Sequence, residues 1–437
     1  MYRLTIISLL IGAILFLGCN SDNSGKDDHA HRVELKQEDG QYRLYLNDEE
    51  FYVKGAGLEF GNIERLAANG GNSFRTWRTD NGQRSGKEVL DEAHEHGLMV
   101  LMGIEIGRER HGYDYNDTAW VREQYESVKK QVLELKDHPA ILGWAIGNEL
   151  NLRATNNKVW DAVNDISIMI HEIDGNHPTT TTFAGFSKDD AKNYMERCTD
   201  MDFVSIQMYG DILNLQKYIK ESGYQGPYMV TEWGATGHWE VPKTEWDIAI
   251  EQTSTEKAKA VKERWEKAIK PDTENCLGSY VFLWGQKQER TPSWYGLFTE
   301  RGNETEIIDV MYEAWNGEKP ENTCPKLDSI AVNGLSRYNN VYLEAESENL
   351  LFVDAFDEEN DSLKMQVEII PDKPEVYQDG GDLEERPKAV ISTDNMAYQK
   401  EFDFRAPKEE GPYRIFVYIT DGHGNAATAN VPFFVNK

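Results

Sequence analysis

Between residues 51 and 317 the sequence repeats one alternation eight times. Short runs rich in β-branched, aromatic and glycine residues are each followed by a more polar stretch. The runs are FYVKGAG (51–57), SFRTWRT (73–79), LMVLMGIEI (98–106), ILGWAIGNE (141–149), TTTTFAG (179–185), FVSIQMYG (203–210), YMVTEWG (228–234) and GSYVFLWG (278–285). Helical patterns fall between them. The clearest carries Val121, Tyr125, Val128, Val132 and Leu135, whose spacing puts one apolar stripe on a helix. Eight strand–helix units over about 270 residues match the size of a closed (β/α)8 (TIM) barrel. The competing α/β architecture, an open doubly wound sheet, would carry a glycine-rich phosphate turn after its first strand, and no GxGxxG is present.

The flanks read differently. Residues 32–48 alternate around the turn EDG and predict a β-hairpin, taken with the barrel as one unit over 32–317. GEKPENTCPK, rich in Pro, Gly and polar residues, marks a linker over 318–325. Residues 326–437 hold only strand and turn signals and predict an immunoglobulin-like or cadherin-like β-sandwich. Its acidic turn offers Asp354, Asp357 and Asp361 as calcium ligands, with an ordinary solvated turn as the favoured alternative.

At the N-terminus, Arg3, the apolar run Thr5–Leu17 and FLGC read as a secretory signal over 1–18, too short to span a bilayer. FLGC resembles a bacterial lipobox. That resemblance implies lipidation at Cys19, a polar tether over 19–31, and a protein exported and anchored by lipid at the bacterial outer membrane or cell surface, the periplasmic face included. An ordinary signal peptide is the alternative. The formal net charge of −30 disfavours nucleic acid and anionic membrane surfaces and suits a neutral polymer such as a polysaccharide. A monomer is expected. Besides Cys19 there are Cys198, Cys276 and Cys324. On a barrel, Cys276 before strand eight and Cys324 after the last helix would both lie on the non-catalytic face, where a disulfide could tie the linker down.

In such a barrel the C-terminal strand ends form the active site. Standing there are Arg75, Trp77 and Arg78 on strand two, Glu105 on strand three, and Asn148 and Glu149 on strand four. Tyr209 ends strand six, Glu232 and Trp233 end strand seven, and Trp284 ends strand eight. Two carboxylates across one mouth, with aromatic faces around them, are what acetal hydrolysis requires. One donates a proton to the leaving oxygen while the other attacks, or activates water, from the opposite side. Taken singly, each residue also has an ordinary reading. Glu149 and Glu232 would be surface acids, Arg75 would pair with any buried acid, Trp77 would be core, and Glu105 would make either a sugar contact or an ion pair. Trp120, Trp160, Trp265 and Trp315 lie on helical patterns and read as packing. No GxSxG, P-loop or HExxH occurs, and neither metal nor cofactor is expected.

WAIGNE followed by TEWG, with GGNSFRTW at 70–77, resembles the clan A retaining glycoside hydrolases. The resemblance covers 51–317. It implies that Glu149 is the acid/base, that Asn148 binds the sugar 2-hydroxyl, and that Glu232 is the nucleophile. It also implies that Arg75 and Tyr209 attend Glu232 and that Trp284 is the floor beneath the reacting sugar. Gln207 departs from the usual strand-six pattern, which leaves its role open. The loops 107–120, 233–246 and 285–304 offer Tyr113, Tyr115, Trp239 and Trp294 as stacking platforms for an internal cut in a polymer. The whole layout is similar to bacterial endo-β-1,3-glucanases acting on laminarin-type glucans. Mannan, galactan and mixed-linkage glucan, a transglycosylase, and a non-catalytic glycan-binding protein stand as alternatives.

Overall fold

The computed structural model describes residues 29–59, 61–372 and 384–437. In it the eight runs close on themselves. Strands β1 (Val53–Gly57), β2 (Ser73–Arg75), β3 (Met99–Ile104), β4 (Ile141–Asn148), β5 (Thr179–Ala184), β6 (Phe203–Gln207), β7 (Tyr228–Gly234) and β8 (Cys276–Phe282) form a closed barrel in chain order. Every neighbouring pair is parallel, including β8 with β1. Helices α1 (Ile63–Ala68), α2 (Gly86–Glu95), α3 (Thr118–Leu135), α4 (Lys158–Ile173), α5 (Lys188–Arg197), α6 (Leu215–Ser222), α7 (Ser254–Arg264) and α8 (Glu306–Asn316) follow the strands in turn. The barrel strands are buried almost throughout, because parallel strands are covered by helices on one face and by the barrel interior on the other. The stripe read from the sequence is the inner face of α3: Val128, Val132 and Leu135 are buried, and Val121 and Tyr125 pack against the same core. β2 and β6 stop short of their expected ends, since the residues beyond leave the ladder to build the mouth.

The hairpin Val33–Glu38/Gln41–Leu46 turns at Asp39 and Gly40, both with positive φ, the combination a two-residue type I′ turn needs. A two-residue strand, Glu49–Glu50, adds a third member. Val33 and Leu44 pack against Val53, Met99, Phe203 and Leu277 at the starts of barrel strands. The hairpin thus plugs the end of the barrel opposite the mouth.

The C-terminal region is a sandwich. One sheet has the order Leu335–Ser336, Lys326–Val332, Glu348–Phe356, Glu401–Arg405. The other is built on the long pair Gly411–Thr420 and Ala426–Asn436, flanked by Lys364–Pro371 and Val341–Glu344. Alternating residues such as Leu351, Val353, Val367, Ile415, Val417 and Val431 form its core.

The sandwich is keyed into the barrel. Lys257 Nζ donates to Glu251 Oε1 at 2.5 Å, with both side chains almost fully buried. Asn430 Nδ2 donates to Glu251 Oε2 at 2.6 Å. Arg414 Nη2 donates to the Ala249 carbonyl at 2.9 Å, and its Nε donates to Asp372 at 2.9 Å. Buried charges of this kind persist only when paired and fully hydrogen-bonded.

The expected disulfide does not form. Cys198, Cys276 and Cys324 are all buried free thiols. Cys276 opens β8 at the plugged end of the barrel, whereas the linker runs back along α8 and sets Cys324 beside the first turn of that helix. There its N–H donates to Asp309 at 2.7 Å. The expected signal 1–18, the expected lipidation residue Cys19 and all but the last three residues of the expected tether lie outside the described residues.

Candidate active site

Both carboxylates are aimed by breaks in strand register. On β4, Ala145 pairs with Thr180 but Asn148 pairs with Thr182, so three steps on β4 match two on β5. The extra residue is absorbed around Gly147, at φ 74°, where an added Cβ would lie 2.5 Å from Leu150. On β7, Val230 pairs with Ile206 and Glu232 with Gln207, two steps against one. These bulges turn the ends of β4 and β7 into the mouth. Glu149 itself has φ 50°, which is rare for a non-glycine residue and is held here by specific contacts. Its N–H donates to the Thr182 carbonyl and hydroxyl, each at 3.1 Å, and Arg110 donates to its carbonyl.

Glu232 is buried and held from both sides. Oε1 accepts from Trp77 Nε1 at 2.7 Å and Arg75 Nη1 at 3.1 Å, while Oε2 accepts from the Tyr209 hydroxyl at 2.9 Å. Three donors thus fix the orientation of this carboxylate. Arg75, itself fully buried, reaches further: Nη2 donates to Asn148 Oδ1 at 2.9 Å. Gln207 Nε2 donates to the same oxygen at 2.8 Å, which gives that strand-six residue its role. With its oxygen taken by Arg75 and Gln207, Asn148 has its amide N–H groups left as the donor end.

Glu149 has the opposite environment. Burial raises its pKa first and the negative charge of Glu232 second, while Arg110, Arg75 and Arg108 pull it back, leaving it near about 7. Arg110 Nη2 lies 3.8 Å from Glu149 Oε2. A carboxyl whose proton is retained toward neutral pH stands beside one fixed by three hydrogen-bond donors, an arrangement that suits acid-assisted displacement. The Tyr209 hydroxyl is pushed well above its ordinary range, first by burial and then by Glu232, so it acts as a donor.

The structure therefore brings Glu149, Glu232, Asn148, Arg75, Tyr209 and Trp77 together. Trp77, expected to contact substrate, serves instead as a hydrogen-bond donor to Glu232, with Arg75 stacked 5.0 Å from its ring. Trp239 is 59% exposed and edge-on to Tyr209 at 5.6 Å, so its ring is open to solvent. Glu105 is exposed one residue past β3.

Four expected substrate contacts are corrected. Trp233 follows Glu232 on β7, so strand alternation turns it outward, where it is fully buried against Trp265. Trp284 is fully buried among Phe298 and Trp315 and donates to the Asn62 carbonyl, so it cannot be the floor of the sugar site. Trp294 folds back and donates to the Thr236 carbonyl at 2.9 Å. Tyr115 is likewise buried. Conversely, Trp120, read as packing, is 48% exposed and lies 5.7 Å from Tyr113. Phe282, half-buried Leu283 and Tyr295 take the place near Tyr209 and Trp77 that Trp284 was expected to fill. Arg110 was missed; its only sequence signal is its place in the long loop 107–120. Beside that loop lies an open polar groove of about 420 Å³, lined by Glu109, Tyr113, Asp114, Asn116, Thr155 and Asn156.

Comparison with known proteins agrees with the fold. Solved structures similar to the chain include a Bacteroides uniformis beta-glucuronidase 2 (TM-score 0.52, 13% identity, covering 92% of this chain and 48% of that one). A beta-D-glucuronidase from Dictyoglomus thermophilum has TM-score 0.52 and 16% identity, covering 65% of this chain and 54% of that one. A putative beta-galactosidase from Bacteroides fragilis has TM-score 0.51 and 14% identity, covering 93% and 58%. The chain thus spans about half the length of these proteins, and at such identities the likeness is one of fold. No curated protein matches the sequence. Residues 71–270 match the model described as glycosyl hydrolases family 2, TIM barrel domain, so the likeness falls on the barrel.

Proposed function

We propose that this chain hydrolyses a β-glycoside by double displacement, with Glu149 as acid/base and Glu232 as nucleophile. The observation that carries the reading is the contrast in surroundings of two carboxyls at the ends of β4 and β7. Glu232 is held by Arg75, Trp77 and Tyr209, and Glu149 is raised to about 7 by burial and by Glu232. In this mechanism Glu232 attacks the anomeric carbon while Glu149 protonates the leaving oxygen. The ionised Glu149 then activates the water that releases the sugar, with net retention. Asn148, its oxygen fixed by Arg75 and Gln207, would present its N–H groups to the sugar 2-hydroxyl. Proton NMR of the first-formed product tests this: the β-anomer is expected, and the α-anomer would overturn it.

For substrate, we infer a neutral β-glucan cut internally, with β-1,3-glucan of the laminarin type as the first choice. Support comes from exposed Trp239 beside Tyr209, a partner of Glu232, and from the open groove lined by Glu109, Tyr113 and Asn116 in the loop that carries Arg110. A second reading, removal of a terminal β-linked sugar, is favoured by the burial of Trp233, Trp284 and Trp294, which leaves fewer platforms than a long cleft needs. Product analysis on laminarin, curdlan, mannan, galactan and aryl β-glycosides separates the two. Oligosaccharide release supports the first, and activity on aryl glycosides alone supports the second. Export with lipid anchoring at Cys19 is part of the same proposal and is tested by membrane partition of wild type against Cys19→Ala.

A further inference from the structure

Outside the mouth, one group of side chains has no role in the chemistry above. Asp357, Asp361 and Asp421 each place a carboxylate oxygen within 4.8 Å of the other two. Asp357 follows the strand Glu348–Phe356, and Asp421 opens the turn between Gly411–Thr420 and Ala426–Asn436. Asp357 is 7% exposed and Asp421 4%, so two of the three are essentially buried. Asp357 Oδ1 accepts from the Asp361 N–H at 2.8 Å, but its Oδ2 is enclosed with no hydrogen-bond partner among the described residues. A buried carboxylate oxygen lacking both donor and cation is costly, and native structures rarely leave one so. The ring of His423 places Nε2 3.5 Å from Asp361 Oδ1. Asp354, grouped with this turn in the sequence, is drawn away by Lys400 at 2.6 Å.

We propose that Asp357, Asp361 and Asp421 bind a calcium ion at the joint between sandwich and barrel. An all-oxygen, all-carboxylate donor set selects a hard cation, and calcium tolerates irregular loop geometry better than magnesium. The site sits where three segments meet. Asn322 of the linker donates to Asp361 Oδ2 at 2.7 Å, and Asn425 donates to both Asp421 Oδ2 and Asn322 Oδ1 at 2.8 Å. Glu304, on the loop between β8 and α8, exchanges backbone hydrogen bonds with Gly424 and Ala426. A cation here would fix the linker and the sandwich turn against the barrel.

The test uses the full chain stripped with EGTA, titrated with calcium chloride by calorimetry and followed by thermal unfolding. One bound calcium per chain is expected, with Tm raised by about 3 °C or more at a hundredfold excess over Kd. Asp361→Asn removes a carboxylate that is 26% exposed, so the fold should survive while heat and Tm shift are lost. Asp354→Asn should keep both. The proposal is overturned by wild type showing neither heat nor shift, or by an undiminished shift in Asp361→Asn. It is equally overturned by a shift that magnesium reproduces in full and that Asp361→Asn leaves unchanged, the mark of general charge screening.

Discussion

Arg110 offers a way to move the proposed acid/base without touching it. Its guanidinium stands 3.8 Å from Glu149 Oε2, and the two side chains are 15% and 22% exposed. Of the three arginines that hold the Glu149 pKa down, Arg110 acts most strongly. At that distance Coulomb's law gives about 1 kcal/mol at the dielectric constant of water and about 4 kcal/mol at an effective value near 20. The pair faces an open cleft, so the lower figure is the better guide, and about 1.4 kcal/mol corresponds to one pKa unit. Removing the cation disfavours the carboxylate, so the pKa must rise. Arg110→Gln should therefore carry the basic limb of the kcat/KM profile from near pH 7 to near pH 8. Arg110→Lys keeps a charge and should restore the limb even if the hydrogen bond to the Glu149 carbonyl is lost. The assay is a pH–rate profile on an aryl β-glycoside, run for wild type and both variants. A limb that stays put or moves down in Arg110→Gln, with turnover retained, would refute the assignment of Glu149 as the titrating acid.

Other consequences can be measured alongside. Glu149 has a folded pKa near 7 against an ordinary value of 4.5, so its ionisation opposes folding: stability is fully present below pH 4.5 and is lost as pH rises through 7. Glu149→Gln should thus unfold later than wild type in urea at pH 8, by about 3 kcal/mol, and the gain should vanish near pH 4. Glu149→Ala should slow substrates with poor leaving groups by about 10²–10⁴-fold while sparing activated aryl glycosides, and added azide should yield a β-glycosyl azide. Trp239→Ala should weaken oligosaccharide kcat/KM by about 1 kcal/mol without shifting Tm. Trp294→Ala, buried at 2% exposure, should instead cost about 3–5 kcal/mol of stability in denaturant melts.

The barrel was legible because its signal is repeated: eight buried parallel strands must each be apolar, and the chain shows the run eight times. The proposed catalytic pair was legible because Asn148–Glu149 and Glu232 sit where those runs end. The aromatic residues were not, for a physical reason. A tryptophan at a strand end reads the same whether the pleat turns it to the mouth or to the helices, and the bulges in β4 and β7 decide that only in three dimensions. Trp233 and Trp284 went to the helical layer, while Trp77 found a carboxylate. Gln207 and Arg110 act through neighbours far along the chain, which spacing does not encode. The cysteine expectation failed likewise, since it required knowing that the linker doubles back along α8.

The joint around Glu251 has a consequence for exchange. Its carboxylate takes Lys257 from the barrel side and Asn430 from the sandwich, and Arg414 closes over Ala249. A foreign tail grafted onto this barrel would have to present an amide and a guanidinium at those two places, or leave an interior anion short of donors. The sandwich is thus a matched half of one folded body, and drift at positions 251, 257, 414 and 430 is constrained as a set.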